Sequence, residues 1–199
     1  MEQSIIVSIE NLQRVFAIVL ALALSEGFKQ VVSDKAPLPS DPFVYWERIL
    51  GLISFLLLIV PFFQGMHRYY YTVYMATTRP RPYAIFLNFD VFIFLIDAAL
   101  FFVMSRALGR EQWRRFYSTV LLVLMVDSGW GFVVLLFNSN VVLGWLALNA
   151  ITIPIFALWL YFFRDPKSIC GVRLCFLTMV LRTIIDYYIM WDFYYPSGS

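Results

Sequence analysis

Several charged side chains lie inside long apolar stretches of this chain, and their spacing groups them on helix faces. Arg182 and Asp186 are four residues apart in LRTIIDYYIMWDFYYP, and Asp90 and Asp97 are seven residues apart, so each pair shares one face of a helix. A charged side chain at the centre of a bilayer costs at least about 2.5 kcal/mol, which favours positions that face protein or water. The pattern therefore predicts inward-facing groups that could bind an ion, a proton or a small polar solute.

The elements that would hold these side chains are transmembrane helices. Of the 199 residues, 61% are hydrophobic and 14% are charged, a composition typical of membrane proteins. A bilayer core of about 30 Å needs about 20 mostly apolar residues per helix. Six segments between turn-forming residues meet this length: 8–30, 46–72, 83–107, 113–137, 141–163 and 169–192. We predict an all-α, polytopic integral membrane protein, in which residues 1–199 form one six-helix transmembrane bundle whose short loops make consecutive helices antiparallel neighbours.

The intramembrane polar residues are expected to form one layer. Depth along the alternating spans, at about 1.5 Å per residue, puts nearly all of them between the midplane and the side that holds the termini. In helix order the layer consists of Arg14, Gln64, His67, Arg68, Asp90, Asp97, Asp127, Asn149, Arg182 and Asp186. The layer either lines a water-accessible cavity that opens to one side, or only specifies how the helices pack.

Other polar and aromatic residues lie nearer the helix ends. Glu26 is interpreted either as an interfacial carboxylate that pairs with Lys29 or as a second gate residue. Trp145 and Tyr194 belong to a set of aromatic residues expected at the headgroup level. Their rings would mark the limits of the spans.

The sequence predicts no cofactor and no metal site. His67 is the only histidine, and it lacks cysteine or histidine partners. Cys170 and Cys175 are five residues apart, so on a helix they point about 140° away from each other. The net charge of +2 is spread along the chain, which disfavours direct nucleic-acid binding.

Lys and Arg residues are distributed unequally between the two predicted sides of the membrane. The side that holds both termini carries Arg14, Arg68, Arg79 and Arg81, whereas ten Lys and Arg residues lie on the other side. Arg182 belongs to the intramembrane layer. Because positive loops are retained in the cytoplasm, both termini are expected outside. A bacterial inner membrane is the expected location.

Three functions are compatible with these features. The first is a channel or transporter, in which a homo-oligomer could complete a narrow pathway. The second is a membrane effector or interaction subunit of a bacterial multi-protein system, for example a defence system. Its docking surface for a cytosolic partner or an anionic lipid would be Arg106, Arg110, Arg114 and Arg115, although ordinary positive-inside topology also explains these residues. The third and least favoured is an intramembrane enzyme acting on lipid, so no enzyme activity is expected.

Overall fold

The computed structural model describes residues 2–32, 42–75, 83–108, 112–136 and 142–196. These ranges are helical and contain no strand, which confirms the all-α prediction. The long helices are α1 (Glu2–Val32), α2 (Pro42–Tyr70), α3 (Tyr83–Ala107), α4 (Trp113–Leu136), α5 (Leu143–Phe162) and α6 (Ile169–Ile189). A π-helical turn, Tyr71–Met75, extends α2, and the four-residue helix α7 (Trp191–Tyr194) follows α6. The long helices lie where the apolar segments predict them.

Five of the described helices are long and apolar enough to cross a membrane. The qualifying stretches are Ile6–Val32, Trp46–Tyr74, Phe86–Ala107, Trp113–Leu136 and Leu143–Phe162. Helix α6 is 21 residues long, but Arg173, Arg182 and Asp186 interrupt its apolar run and it is not among the five. The prediction of six spans is therefore not confirmed by length and composition.

The six long helices pack in the order α1, α3, α4, α5, α6 and α2, and α2 returns to α1. Helix α2 also reaches α3 and α4, and 44% of its apolar stretch is buried, the largest share among the five stretches. Consecutive helices are expected to be neighbours, but α2 and α3 are in only limited contact. Helix α3 packs mainly on α1 and α4, and it meets α2 through large aromatic rings such as Phe62 and Phe101, whose centroids are 5.0 Å apart.

The bundle is apolar on its outer surface as well as in its core. Phe55 and Phe101 are fully buried, whereas Leu22, Leu136 and Phe162 are exposed on outer faces. Helices that are hydrophobic all round are typical of a lipid environment, since no polar face is needed for water. Any charged group inside such a bundle must therefore find its partners among a few polar residues.

Trp113 joins three helices at the end of the bundle that holds the connection between α5 and α6. Its backbone N–H donates to Glu47 Oε1 of α2 at 2.6 Å, and its indole N–H donates to the Pro166 carbonyl at 2.8 Å. Helix α6 begins beside it, where the Ser168 side chain accepts from the Gly171 N–H at 3.1 Å. A Cβ at Gly171 would lie 2.6 Å from the Trp113 ring. Glycine is required here because the indole occupies that space.

Candidate functional site: a polar cavity among the helices

Asn149 links the carboxylate of Asp127 on α4 to the guanidinium of Arg182 on α6. Its amide Nδ2 donates to Asp127 Oδ2 at 2.8 Å, and its Oδ1 accepts from Arg182 Nη2 at 3.0 Å. Asn149 is fully buried and Arg182 is 7% exposed. An ionised carboxylate only accepts and a guanidinium only donates, whereas an amide does both, so asparagine suits the central position.

Asp186 lies one helical turn beyond Arg182 and is bound by two aromatic donors. Trp145 Nε1 donates to Asp186 Oδ1 at 3.1 Å, and the Tyr194 hydroxyl donates to Oδ2 at 3.2 Å. Helix α6 ends at Ile189, and α7, which follows after Met190, brings Tyr194 back to Asp186. Burial, followed by the charge of the neighbouring Asp186, raises the pKa of the Tyr194 phenol well above its usual value. The hydroxyl therefore stays protonated and able to donate.

A cavity opens beside these groups. Its walls come from α2 to α6 and α7, and among its lining residues are Asp127, Arg182, Asp186, Trp145 and Tyr194. It leaves about 40 Å³ for the centres of water-sized molecules, which is room for a few waters and not for a large solute. Arg182 Nε is buried and has no hydrogen-bond partner. Within the described residues, no ion pair shorter than 4.0 Å joins Arg182 to a carboxylate.

Asp90 lies beside this cavity and is connected to it by Trp130. Its Oδ2 accepts from the Tyr74 hydroxyl at 2.5 Å, and its Oδ1 accepts from Trp130 Nε1 at 2.8 Å. Trp130 also lines the cavity. Asp90 is therefore held by neutral donors at the cavity wall.

Asp97 differs from the other carboxyl groups at the site because neither of its oxygens has a hydrogen-bond partner among the described residues. It is fully buried on α3 between Phe94 and Phe101 of the same helix face. Its electrostatic interaction is with Asp127, a group of the same charge. A buried ionised group without a partner is expensive, and such groups commonly neutralise.

The structure does not bring every residue of the predicted layer to the cavity. Gln64 accepts from the Tyr187 hydroxyl at 3.1 Å, and Arg68 Nε donates to the Phe193 carbonyl at 3.1 Å, so both tie α2 to the C-terminal end of the chain. His67 is exposed. Arg14 is also exposed, and it pairs with Glu10 at 3.8 Å on the surface of α1.

Glu26, the second gate candidate, has partners on its own helix. It accepts from Gln30 Nε2 at 2.6 Å and lies 3.9 Å from Lys29 Nζ. These contacts correspond to the interpretation of Glu26 as a paired carboxylate near the helix end. Nothing in the described residues connects it to the cavity.

The four arginines of the predicted docking surface have different environments. Arg114 donates to the carbonyls of Leu160 at 3.1 Å and Arg164 at 3.3 Å, so it binds the last turn of α5. Cations stabilise that end of a helix. Arg106 and Arg115 are exposed, and Arg110 lies outside the described residues.

Trp145, Tyr194 and Trp130 are site residues that the sequence did not identify. The aromatic-belt interpretation placed the first two at the headgroup level, but both donate to Asp186. Tyrosine and tryptophan can either lie at the headgroup level or donate to a buried acceptor, because each has an apolar ring with one polar group. Trp145 is 41 residues from Asp186 in the sequence, and no local sequence pattern predicts a contact over such a separation.

No protein-family model, no curated protein and no solved structure matches this chain.

Proposed function

We propose that this chain is a six-span membrane channel or transporter in which the cavity beside Arg182 binds a small cation, with the proton as the favoured ion. The observation that carries the proposal is a charge imbalance. Asp127 and Asp186 line the cavity, and Arg182 is the only cation among its described lining residues. Two further carboxyl groups lie behind the lining: Asp90 accepts from Trp130, and Asp97 interacts electrostatically with Asp127. If all five groups were ionised, their formal sum would be one positive charge minus four negative charges, or −3. A low-dielectric interior disfavours such a net negative charge, so bound protons or cations are needed to neutralise the carboxylates.

Asp97 is the residue that favours a proton over a larger cation. A bound metal ion needs several converging ligands, and no cluster of three or more metal-ligating side chains occurs in the described part of the chain. In the ranges that the structure describes, Asp97 has no hydrogen-bond donor and no ion pair. A proton is the one neutralising species that needs no further ligand. The small volume of the cavity also favours water and protons over an organic solute.

Helix α6 is proposed as the sixth span. Its 21 residues at about 1.5 Å each measure about 30 Å, the thickness of a bilayer core. Arg182 and Asp186 point into the bundle, while Leu177, Leu181 and Ile184 are exposed on the opposite face. A buried charged face and an apolar outer face are compatible with lipid.

Orientation and assembly are also proposals. The excess of Lys and Arg on the side opposite the termini supports both termini outside, in a bacterial inner membrane. A single bundle encloses a narrow lumen, so the conducting unit is proposed to be a homo-oligomer. The mass of the detergent-solubilised protein tests this directly, and a monodisperse monomer would contradict it.

Proton flux into proteoliposomes tests the function. A pH step is applied across vesicles that contain a pH-sensitive dye, and wild type is compared with Asp97→Asn and Asp127→Asn. Asp97→Asn breaks no hydrogen bond, because the Asp97 oxygens have none, so its effect reports proton binding rather than lost packing. Both variants are expected to fall to the rate of empty liposomes.

The matched control is Asp192→Asn, which makes the same chemical change at an exposed position on α7. It should conduct like wild type. The proposal fails if wild-type vesicles take up protons no faster than empty ones, or if both buried variants conduct like wild type. A parallel step in sodium or potassium concentration distinguishes a proton pathway from one for larger cations.

The second candidate is a membrane effector or interaction subunit with a basic docking surface. The exposure of Arg106 and Arg115 favours it. Replacement of both by glutamate should abolish capture of a cytosolic partner. Unchanged capture would remove this candidate, and Arg114 is unsuitable for the test because it stabilises α5.

A further inference from the structure

A groove lies between the ends of α1, α3 and α4, on the side of the bundle away from the termini. Its six lining residues are Gln30, Phe102, Val103, Arg106, Gln112 and Arg115. It leaves about 220 Å³ for the centres of water-sized molecules, several times the space of the buried cavity. We call it the arginine groove.

Among the described residues that line the arginine groove, all charged side chains are positive. Both arginines are exposed, and the six lining residues include no acidic side chain. Among the described residues, Arg106 has no hydrogen bond or ion pair, and Arg115 makes one long contact, from Nη1 to Gln112 Oε1 at 3.4 Å. Within the described part of the chain, most of the guanidinium donors therefore have no partner and can bind an anion. One guanidinium group can donate to two phosphate oxygens at once, and these charge-assisted hydrogen bonds are strong.

The floor of the groove is apolar. Phe102 and Val103 are 42% and 39% exposed, and they precede Arg106 on α3 by about one helical turn. A headgroup bound by the arginines would therefore have an apolar surface directly beside it on the membrane side. Gln30 and Gln112 add neutral polar groups at the rim.

We propose that the arginine groove binds the phosphate of an anionic phospholipid, whose acyl chains lie along Phe102 and Val103. Charge complementarity and the adjoining apolar floor select a lipid over a soluble anion, which would use only the arginines. On the proposed orientation the groove faces the cytoplasmic leaflet, where anionic lipids are concentrated. This site is distinct from the buried cavity and does not depend on cation transport.

Lipid retention by native mass spectrometry tests the proposal. The full chain is purified in a mild detergent that contains phosphatidylglycerol or, separately, phosphatidylcholine, and bound lipids are counted. Wild type should retain phosphatidylglycerol preferentially. The double variant Arg106→Gln with Arg115→Gln should bind it roughly thirtyfold more weakly, since each arginine near an anionic lipid strengthens binding by about fivefold.

Two further variants separate the groove from general surface charge. Arg173→Gln removes an exposed arginine on the same side of the protein, and it should retain phosphatidylglycerol like wild type. Gln112→Glu places a negative charge beside Arg115 and should weaken retention without removing an arginine. Because all these positions are at the surface, the variants are expected to fold.

Four results would overturn the proposal. Equal retention of both lipids by wild type would mean that charge does not select the ligand. Equal loss in the groove variants and in Arg173→Gln would mean that no specific site exists. Displacement of the lipid by millimolar inorganic phosphate would assign the groove to a free anion instead. Unchanged lipid binding with loss of an acidic protein partner would assign it to protein docking.

Discussion

Replacement of Asn149 by alanine should destabilise the bundle, because Asn149 bridges α4, α5 and α6. The substitution removes two hydrogen bonds, of 2.8 Å to Asp127 and 3.0 Å to Arg182. In soluble proteins a hydrogen bond to a charged group contributes about 1.5 to 3 kcal/mol. Between membrane helices the measured values are lower, on average about 0.6 and at most about 1.7 kcal/mol. The membrane values apply here, so the two bonds predict a loss of about 1 to 3 kcal/mol.

The assay is equilibrium unfolding in mixed micelles, followed by tryptophan fluorescence. Asn149→Leu also removes the hydrogen bonds but fills the position with a side chain of similar shape. Comparing it with Asn149→Ala therefore separates the loss of the hydrogen bonds from the cost of the cavity that alanine leaves. Asn88→Ala is the matched control, since Asn88 is exposed on α3, and it should change the free energy of unfolding by less than about 0.5 kcal/mol.

A double-mutant cycle assigns the loss to the bridge. Asn149→Ala is combined with Asp127→Ala, and the effects of the two substitutions should be non-additive, since each removes one partner of the same hydrogen bond. The reasoning is refuted if Asn149→Ala and Asn149→Leu unfold like Asn88→Ala. Strict additivity in the cycle would show that the bond to Asp127 contributes nothing.

Two further substitutions test packing and the Asp186 environment. Gly171→Ala puts a methyl group 2.6 Å from a carbon of the Trp113 indole and should lower the melting temperature. Gly129→Ala, whose methyl group would have nothing within 4 Å, should be neutral or stabilising. Equal melting temperatures of the two variants would contradict the close contact at Gly171. Tyr194→Phe removes one donor to Asp186 and should cost about 1 kcal/mol in the unfolding assay. Tyr188→Phe is its control because Tyr188 is 84% exposed, and an equal effect of both would show that the bond at 3.2 Å is unimportant.

The amino-acid sequence by itself determined the helices. Apolar runs of about 20 residues can satisfy their backbone hydrogen bonds in lipid only within a helix, so run length and turn residues locate the elements. The predicted segment 83–107 coincides with α3, and the segment 113–137 differs from α4 by one residue at its end. The grouping of Arg182 with Asp186 followed from helical spacing in the same way.

Only the tertiary structure decided which groups meet. Depth along a helix follows from residue number, but the direction in which a side chain points relative to other helices depends on packing. Asp127 and Arg182 are joined through Asn149 because α4, α5 and α6 are successive neighbours, whereas Arg14 faces outward on α1. Asp97 lies at a comparable depth yet has no donor among the described residues, because its neighbours Phe94 and Phe101 on the same helix face are aromatic. Contacts across 22 to 41 residues leave no periodic signal in a single sequence, so they became visible only in the folded bundle.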